Sequence, residues 1–444
     1  MLLRALLIIP TVATLAALAP AAAAADLPPE PVIPATLTLG QAVALFRAHG
    51  LDLLIAEAAA EGAAGDALAA GAIQNPSVSG GFYHSFFQDN AFESHNGWFV
   101  GLGDSNAIVD TLSGKRGLRR SVADAALAAA RLGRADALRT LELQVKQIYY
   151  QTVAAGEALE LAHETAEATT HTFDLNQIRY KSGAISEVDL SRTETAKLEA
   201  EQMVDAATLA LRTAKVQLAF LLGQRHLFND FTVDASQLRA RTPALQSTSV
   251  AALVERAMEA RPDLRAQESQ RTRAAQSVSL AHRQRFPDFG LGVQYTEQGS
   301  GNAPPPGSPS AISPPTLEIS LTGTLPLFYQ QQGEIKKAEA DARTQDAAAA
   351  KLRAQVVADV ENAYAGYQTA QRQVQRMEGR LLDRAQRARQ LVELQYQKGA
   401  ASLLEYLDAQ RTYVAVKGEY IQNLTAYWNA IFQIESATAT EVVQ

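Results

Sequence analysis

The chain has 444 residues, which is enough for two or three ordinary domains, and 47% of them are hydrophobic, so its composition is not that of a disordered protein. The formal net charge of -7 argues against a nucleic-acid partner. The chain contains no cysteine, which excludes disulfide bonds and a lipid-modified N-terminal cysteine.

Residues 1–25 have the pattern of a secretory signal peptide. Arg4 precedes an apolar segment from Leu6 to Leu18, and a run of alanines ending at Ala25 offers a cleavage site. After this segment there is no run of about 20 apolar residues, so we expect an exported protein without a transmembrane helix.

The rest of the chain divides into two halves with the same order of elements. In residues 26–248 we expect a helix that Thr38 caps, a strand pair (76–111), a long helical hairpin (115–224) and a connector (225–248). In residues 249–444 we expect a helix, a strand pair (287–326) and a second long helical hairpin (333–440).

Landmark residues recur between the two halves. Asp52, Leu53 and Pro76 return with equal spacing as Asp263, Leu264 and Pro287. Repetition at this length indicates duplication of one architectural unit rather than a short solenoid repeat.

Both strand pairs show a period of two, most clearly in the second half. Phe289, Leu291, Val293 and Tyr295 alternate with small or polar residues, and the segment around Ile319 does the same. This alternation predicts strands with one apolar and one polar face. The first half has weaker equivalents around Phe82 and Val100, and we expect polar loops at 88–97 and 297–315.

A proline-free helical stretch follows each strand pair. From Arg116 to Lys181 the chain can form roughly 100 Å of helix at 1.5 Å per residue. Leu138, Leu141 and Val145 begin a 3–4 spacing that is typical of a coiled-coil seam. Return helices are expected at 186–222 and 402–438, the second after a long helix at 334–397.

Two similar segments mark the hairpin tips. They are YKSGAISEVDLSRTETAK at 180–197 and YQKGAASLLEYLDAQRTY at 396–413. Gly183 and Gly399 suit the reversal because glycine takes a positive φ without steric cost. Acidic residues follow on the outgoing helices: Glu187 and Asp189 after the first tip, Glu405 and Asp408 after the second. Since Arg192 of the first copy stands opposite Asp408, we expect the two tips to be unequal.

Four strands cannot form a closed membrane barrel, which needs about eight or more strands and no free edge. Closure therefore demands several copies of the chain. Three copies would supply twelve strands, together with twelve long helical segments below them.

Particular motifs then resemble a known family. They are the two-fold repeat, the RPDL element at 261–264, the Asn-Pro and Phe-Pro strand starts, PLFYQQQGEI at 326–335 and GAASLLEYLDAQRTY at 399–413. With these motifs the chain resembles the TolC-type outer membrane efflux proteins over essentially all of its mature length. PLFYQQQGEI and the tip sequence GAISEVDL are more similar to the cobalt-zinc-cadmium efflux branch than to the multidrug branch.

The resemblance implies a fold, a cellular location and partners. The fold is mainly α with a small β part: a homotrimer with a 12-stranded barrel in outer membrane lipid and a helical tunnel across the periplasm. A periplasmic membrane-fusion adaptor would dock at the tunnel mouth and connect it to an inner-membrane pump, expected to be of the RND type. The adaptor contacts would be the two tips: Ser182, Gly183, Ala184, Lys398, Gly399 and Ala400.

The resemblance also implies a gate at the second tip. The residues that match the family's acidic constriction are Glu405 and Asp408, and three-fold repetition would turn each into a carboxylate ring that favours cations. Glu405 departs from the aspartate that TolC itself has at this place. On the residues alone, solvated positions on an exposed helix are the better explanation of both acids, and it is the resemblance that favours a lumen-facing position.

No catalytic residue, cofactor or metal site is expected, because the chain lacks HExxH, GxSxG and P-loop motifs and has no cysteine nucleophile. Two functions remain open. One is a passive export duct, with heavy-metal cations among its candidate substrates. The other is a soluble periplasmic coiled-coil scaffold or adaptor, whose strand pairs would form a small sandwich. The strand at 289–296 favours the duct, since a sandwich would need charges on its second face.

Overall fold

The computed structural model of the protein describes residues 27–84, 86, 93–227, 230–240, 249–300 and 314–441. The predicted signal peptide at residues 1–25 lies outside this part of the chain. Most of the two predicted strand-connecting loops and part of the connector at 225–248 lie outside it as well.

The strands form two sheets. In chain order they are β1 (Thr36–Leu37), β2 (Ser77–His84), β3 (Glu93–Gly103), β4 (Thr232–Val233), β5 (Phe289–Ser300) and β6 (Thr316–Gly323). Four of them make one antiparallel sheet in the order β2–β3–β5–β6. The pairing of β3 with β5 joins the two halves of the chain, while β1 and β4 form a small parallel pair that the sequence did not predict.

The larger sheet has one apolar and one polar face, as the alternation predicted. The register sets Phe82 opposite Trp98, Val100 opposite Tyr295, and Val293 opposite Ile319, so these side chains share one face. The opposite face carries mostly small and polar residues: Ser77, Ser79, Gly81, Gly101, Gly103, Gly292, Gln294, Thr296, Glu318, Ser320 and Thr322. Two aromatic residues of the first strand pair, Tyr83 and Phe99, lie on this face as well.

Two strands extend into segments that the sequence predicted as loops. β3 begins at Glu93, inside the polar segment 88–97, and β5 continues to Ser300. Glu93 pairs with Ser300 across a register shift, so each strand end is held by its neighbour. Cross-strand pairing therefore outweighs the weak strand preference of the polar side chains there.

The helices account for most of the chain. They are α1 (Leu39–His49), α2 (Leu51–Gly71), α3 (Ala107–Leu112), α4 (Lys115–Lys181), α5 (Glu187–Leu221), α6 (Val250–Ala260), α7 (Pro262–Arg283), α8 (Gln332–Arg376), α9 (Leu382–Gln397) and α10 (Leu403–Thr438). A π-helical turn, Met377–Leu381, joins α8 to α9. Neither this turn nor α3 was predicted. The N-terminal cap of α1 at Thr38 was predicted. The amide of Gln41 donates to Thr38 Oγ1, and the amide of Thr38 donates to Gln41 Oε1.

A buried aromatic cluster holds the hairpins together at the ends away from their tips. Tyr150 stacks on Trp428 with ring centroids 5.1 Å apart, and Trp428 stacks on Phe432 at 5.8 Å. The indole of Trp428 donates to the carbonyl of Leu238 in the connector. The core here therefore contains aromatic side chains from both hairpins, which the 3–4 spacing in α4 did not reveal.

Arg261 of the RPDL element is buried in the same region. Its guanidinium donates to Asp263 at 2.6 Å and to Asp359 of α8 at 3.0 Å, and it lies 3.4 Å from the carbonyl of Ala437 near the end of α10. Burial alone would raise the pKa of Asp263, but hydrogen bonds from Arg261 and its positive charge outweigh this and lower it. One arginine thus ties the junction of α6 and α7 to both helices of the second hairpin.

In the part of the chain that the structure describes, no helix is at once long enough and apolar enough to cross a lipid bilayer.

Candidate functional site at the hairpin tips

Both hairpins reverse direction by the same turn. Gly183 and Gly399 have φ of +74° and +76°, the left-handed region that the sequence led us to expect of them. The amide of Ala184 donates to the carbonyl of Arg179, and the amide of Ala400 donates to that of Gln395. This 6→1 hydrogen bond is the one that closes a Schellman motif at a helix C-terminus.

Both outgoing helices begin with the same cap. Ser186 Oγ accepts a hydrogen bond from the amide of Asp189, and Ser402 Oγ accepts one from the amide of Glu405. In the second tip the Glu405 carboxylate also accepts from the amide of Ser402 at 2.7 Å and from its hydroxyl at 2.9 Å. Glu405 therefore completes a capping box, a role that the Ser-x-x-Glu spacing could have revealed.

The cap also changes the acidity of Glu405. The hydrogen bonds from the Ser402 amide and hydroxyl favour the ionised carboxylate and lower the pKa of Glu405 below its ordinary value. The side chain is exposed, so the carboxylate is a fixed negative charge at the start of α10. The positive end of the helix dipole stabilises the same charge.

Asp408 is exposed in a different setting, three residues further along α10. It lines a groove of about 580 Å³ between the first turns of α5 and α10. Arg192 and Arg411 line the same groove, with Leu404 and Leu407 as apolar neighbours. The two predicted gate residues therefore lie close in sequence but have separate surroundings, and Arg192 faces the same groove as Asp408.

A clamp of polar side chains joins the two hairpins just above their tips, and the sequence reading missed it. The Tyr396 hydroxyl donates to Asn176 Oδ1 at 2.6 Å, and the hydroxyls of Thr172 and Tyr406 lie 3.1 Å apart. The rings of Tyr396 and Tyr406 stack with centroids 5.2 Å apart. Arg179 adds a hydrogen bond to the carbonyl of Gln397.

A signal for this clamp was present in α4. Thr165, Thr169, Thr172 and Asn176 recur every three or four residues and are all buried. The spacing is that of a core stripe, but the residues are polar, so each needs a hydrogen-bond partner. The threonines donate to carbonyls of their own helix, while Asn176 accepts from the other hairpin.

No group of three acidic or histidine side chains within the described ranges is arranged to hold a metal ion. The arrangement at the tips is therefore one of charges, caps and interhelical contacts. It can attract or repel ions and can change with the separation of the hairpins.

The comparisons with known proteins agree with this architecture. A model of the outer membrane efflux protein family matches two segments, residues 43–224 and 253–440, one in each half of the chain. The chain belongs to the outer membrane efflux protein family. The resemblance that the sequence suggested is thereby confirmed, and the family is one of channel proteins rather than enzymes.

Two individual proteins are similar to this chain at low sequence identity. The pyoverdine export outer membrane protein OpmQ of Pseudomonas putida is 27% identical over 301 residues, which cover 66% of this chain and 61% of that protein. The cobalt-zinc-cadmium resistance protein CzcC of Cupriavidus metallidurans is 23% identical over 328 residues, covering 73% of each.

Among solved structures, the outer-membrane channel OprN is similar with a TM-score of 0.74 at 20% identity, covering 91% of this chain and 90% of that one. The predicted fold class, mainly helical with a four-stranded sheet and an internal repeat, is confirmed by this likeness.

Proposed function

We propose that this protein is the outer membrane channel of a tripartite efflux system, a duct that passively exports what an inner-membrane pump and a periplasmic adaptor deliver. The observation that carries the proposal is the exposed apolar face of the four-stranded sheet. Phe82 and Ile319 on this face are 73% and 75% exposed. Soluble proteins rarely expose contiguous apolar patches of this kind, and a lipid bilayer would cover it.

Closure of the sheet requires further copies of the chain. Within the described residues, β2 and β6 each have one unpaired edge. A membrane-spanning sheet must satisfy its backbone groups internally, so these edges must pair between copies. Three copies give twelve strands, and family members form trimers. A soluble scaffold would leave both the apolar face and the free edges in water, which argues against that alternative.

At the opposite end, we place the gate at Glu405 and Asp408. Both carboxylates are exposed directly after the Gly399 turn, and three copies would bring each set into a ring. The fixed charge of Glu405 and the groove beside Asp408 support this role. The turns themselves, Ser182–Ala184 and Lys398–Ala400, are the proposed adaptor contacts.

A tripartite efflux channel implies three kinds of partner: a periplasmic membrane-fusion adaptor, an RND-type pump and outer membrane lipid. Transport needs no catalysis by this chain, because the pump supplies the energy. For the substrate we propose heavy-metal cations, supported by the relative CzcC and by the acidic mouth. The relative OpmQ makes pyoverdine export the competing possibility.

The channel proposal is tested with the protein extracted from membranes. Its mass in detergent should be three times that of the chain, and it should produce discrete conductance steps in planar bilayers. A monomer recovered from the soluble periplasmic fraction would refute the proposal.

The gate is tested by comparing two double variants. Glu405→Ala with Asp408→Ala should change single-channel conductance and reduce cation selectivity. The matched control is Glu187→Ala with Asp189→Ala, which removes the same charge from the first tip. Equal effects of the two double variants would contradict a gate that lies only at the second tip.

The substrate is tested by metal tolerance. Loss of the protein should lower tolerance of cells to cobalt, zinc and cadmium, and plasmid-borne protein should restore it. Unchanged tolerance with impaired pyoverdine export would overturn the cation assignment.

A further inference from the structure

At the level of the hairpins, the long helices stand side by side in one row. α4 packs against both α5 and α10, and α10 packs in turn against α8 and α9. The row therefore ends in α5 on one side and in α8–α9 on the other. Each of these outer helices has a face that points away from its neighbour in the row.

The outer face of α8–α9 carries a row of arginines, which we call the arginine row. Its members are Arg372, Arg376, Arg380, Arg384 and Arg387, all exposed and spaced by three or four residues across the π-helical turn. The buried side of the same helix is formed by residues such as Tyr367, Ala370 and Val374. The 3–4 spacing continues with the exposed leucines 391 and 394, so the outer face has the pattern of a second coiled-coil seam.

The arginine row lacks compensation within the chain. None of the five guanidinium groups forms an ion pair with another residue of the described ranges. Like charges four residues apart on a helix repel each other. A helix face of this kind is therefore stabilised by an acidic surface from outside the chain.

The outer face of α5 supplies such a surface. Glu194, Glu201 and Asp205, the acidic row, are exposed, and the first two are seven residues apart. Glu201 also lies 3.8 Å from the Lys197 ammonium of the same helix, a contact that leaves its side chain half exposed. Leu198 and Leu209, 52% and 66% exposed, lie between and beyond them. The buried residues of α5, such as Thr193 and Ala200, face α4 instead.

The two rows stand at the same height above the tips. Glu194, Glu201 and Asp205 come 11, 18 and 22 residues after Gly183. Arg387, Arg380 and Arg376 come 12, 19 and 23 residues before Gly399. The clamp joins Asn176, seven residues before Gly183, to Tyr396, three residues before Gly399. The two tips are therefore level to within about one helical turn, and so are the two rows.

We propose that the acidic row of one copy of the chain pairs with the arginine row of the next copy, and that this charged seam aligns neighbouring hairpins in the assembled channel. The inference rests on the proposed function, since only a closed assembly brings α5 of one copy beside α8–α9 of another. Within one chain the two rows lie at opposite ends of the helix row and cannot meet.

The absence of native cysteine allows a direct test. In the variant Glu201→Cys with Arg380→Cys, oxidation should link neighbouring copies and give dimer and trimer bands on non-reducing gels. The matched control Glu201→Cys with Arg273→Cys keeps one partner and moves the other to an exposed arginine of α7, so it should give no bands above background. Equal crosslinking of both pairs overturns the proposal.

A second test exchanges the charges of the two rows. Arg376→Glu with Arg380→Glu should lower the trimeric fraction in low-salt detergent roughly five-fold, because two ion pairs per interface become repulsions. Adding Glu201→Arg with Asp205→Arg in the same chain should restore it. A lowered fraction without restoration, or no effect of the first exchange, overturns the charged seam.

The mass of the cysteine variant separates this inference from the channel proposal. A trimer without the Glu201–Arg380 crosslink refutes the seam and leaves the channel intact. A monomer refutes both.

Discussion

The hydroxyl of Tyr396 in the second hairpin donates a hydrogen bond to the side-chain oxygen of Asn176 in the first, over 2.6 Å. Asn176 is completely buried, and its Nδ2 has no hydrogen-bond partner among the described residues. The bond therefore holds the two hairpins together at a place where its loss leaves a buried polar group unpaired. Any outward movement of the second tip must break it.

We expect Tyr396→Phe to loosen the tips. The substitution keeps the ring stack with Tyr406 but leaves both polar atoms of the Asn176 side chain without a partner, which costs about 1–3 kcal/mol. The thermal unfolding midpoint should fall, and planar bilayers should show more frequent open states. The control is Tyr364→Phe, since the hydroxyl of Tyr364 makes no hydrogen bond within the described chain. Equal behaviour of the two variants would contradict a role for the clamp.

This clamp shows what a single sequence can and cannot reveal. The reversals at Gly183 and Gly399, the strand faces and the helix lengths follow from local rules, and the structure has them where the patterns predicted. The partner of Asn176 lies 220 residues away, and nothing in the local pattern names it. The same holds for Arg261, whose partners come from three segments of the chain.

Some local features were also missed, for a different reason. The π-helical turn at Met377–Leu381 leaves no signature in the periodicity of so polar a stretch. Glu405 was read as a pore residue, while its spacing from Ser402 already indicated a cap. The two roles are compatible, because the cap uses the carboxylate that the proposed gate would expose.

The tip glycines provide a test of the turn geometry. A Cβ on Gly399 would meet no atom within 4 Å, so Gly399→Ala has only a conformational cost, about 1–2 kcal/mol for the left-handed backbone. The unfolding midpoint should therefore fall. In Gly366→Ala the new methyl also meets nothing, but the site lies inside α8, and stability should rise by about 0.5–1 kcal/mol. The two variants should therefore change stability in opposite directions. A change in the same direction would contradict a conformational cost at the Gly399 turn.

Arg261 should be among the most sensitive positions of the helical part. Arg261→Met leaves the carboxylates of Asp263 and Asp359 without their buried partner, and we expect a loss of about 2–4 kcal/mol in the stability of each chain. This lies toward the lower end of buried-pair losses because Asp359 is partly exposed. The control Arg265→Met removes an exposed arginine that bonds only a backbone carbonyl. Denaturant unfolding of the detergent-solubilised protein measures the stability of both variants. A loss no larger than that of the control would contradict the stabilising role of the Arg261 ion pairs.

The two sheet faces can be distinguished with neighbouring residues of β6. Ile319→Arg places a charge on the apolar face, where lipid contact would cost about 2–4 kcal/mol near the middle of the bilayer. Ser320→Arg places the same charge on the polar face, above Gly292. Membrane insertion, measured as the heat-stable oligomer recovered from the outer membrane, should fall in the first variant and persist in the second. A reversed order would assign the faces the other way.

The cap at Glu405 predicts a particular dependence on pH. Its pKa in the folded protein lies below the ordinary value of 4.5, because Ser402 hydrogen-bonds the ionised carboxylate. A group whose pKa is lowered by folding stabilises the fold above its unfolded pKa and loses this contribution as the pH falls through the folded pKa. Glu405→Gln keeps a capping side chain but has no charge to titrate.

The difference between the unfolding midpoints of the wild type and Glu405→Gln should therefore be positive at neutral pH and shrink below about pH 4.5. Asp189→Asn, at the same cap position of the first tip, shows whether any loss is specific to the second tip. Cation selectivity of the wild type should fall over the same acidic range, since protonation removes the proposed carboxylate ring. If the midpoint difference stayed constant down to about pH 3, the Ser402 hydrogen bonds would not be stabilising the charged form.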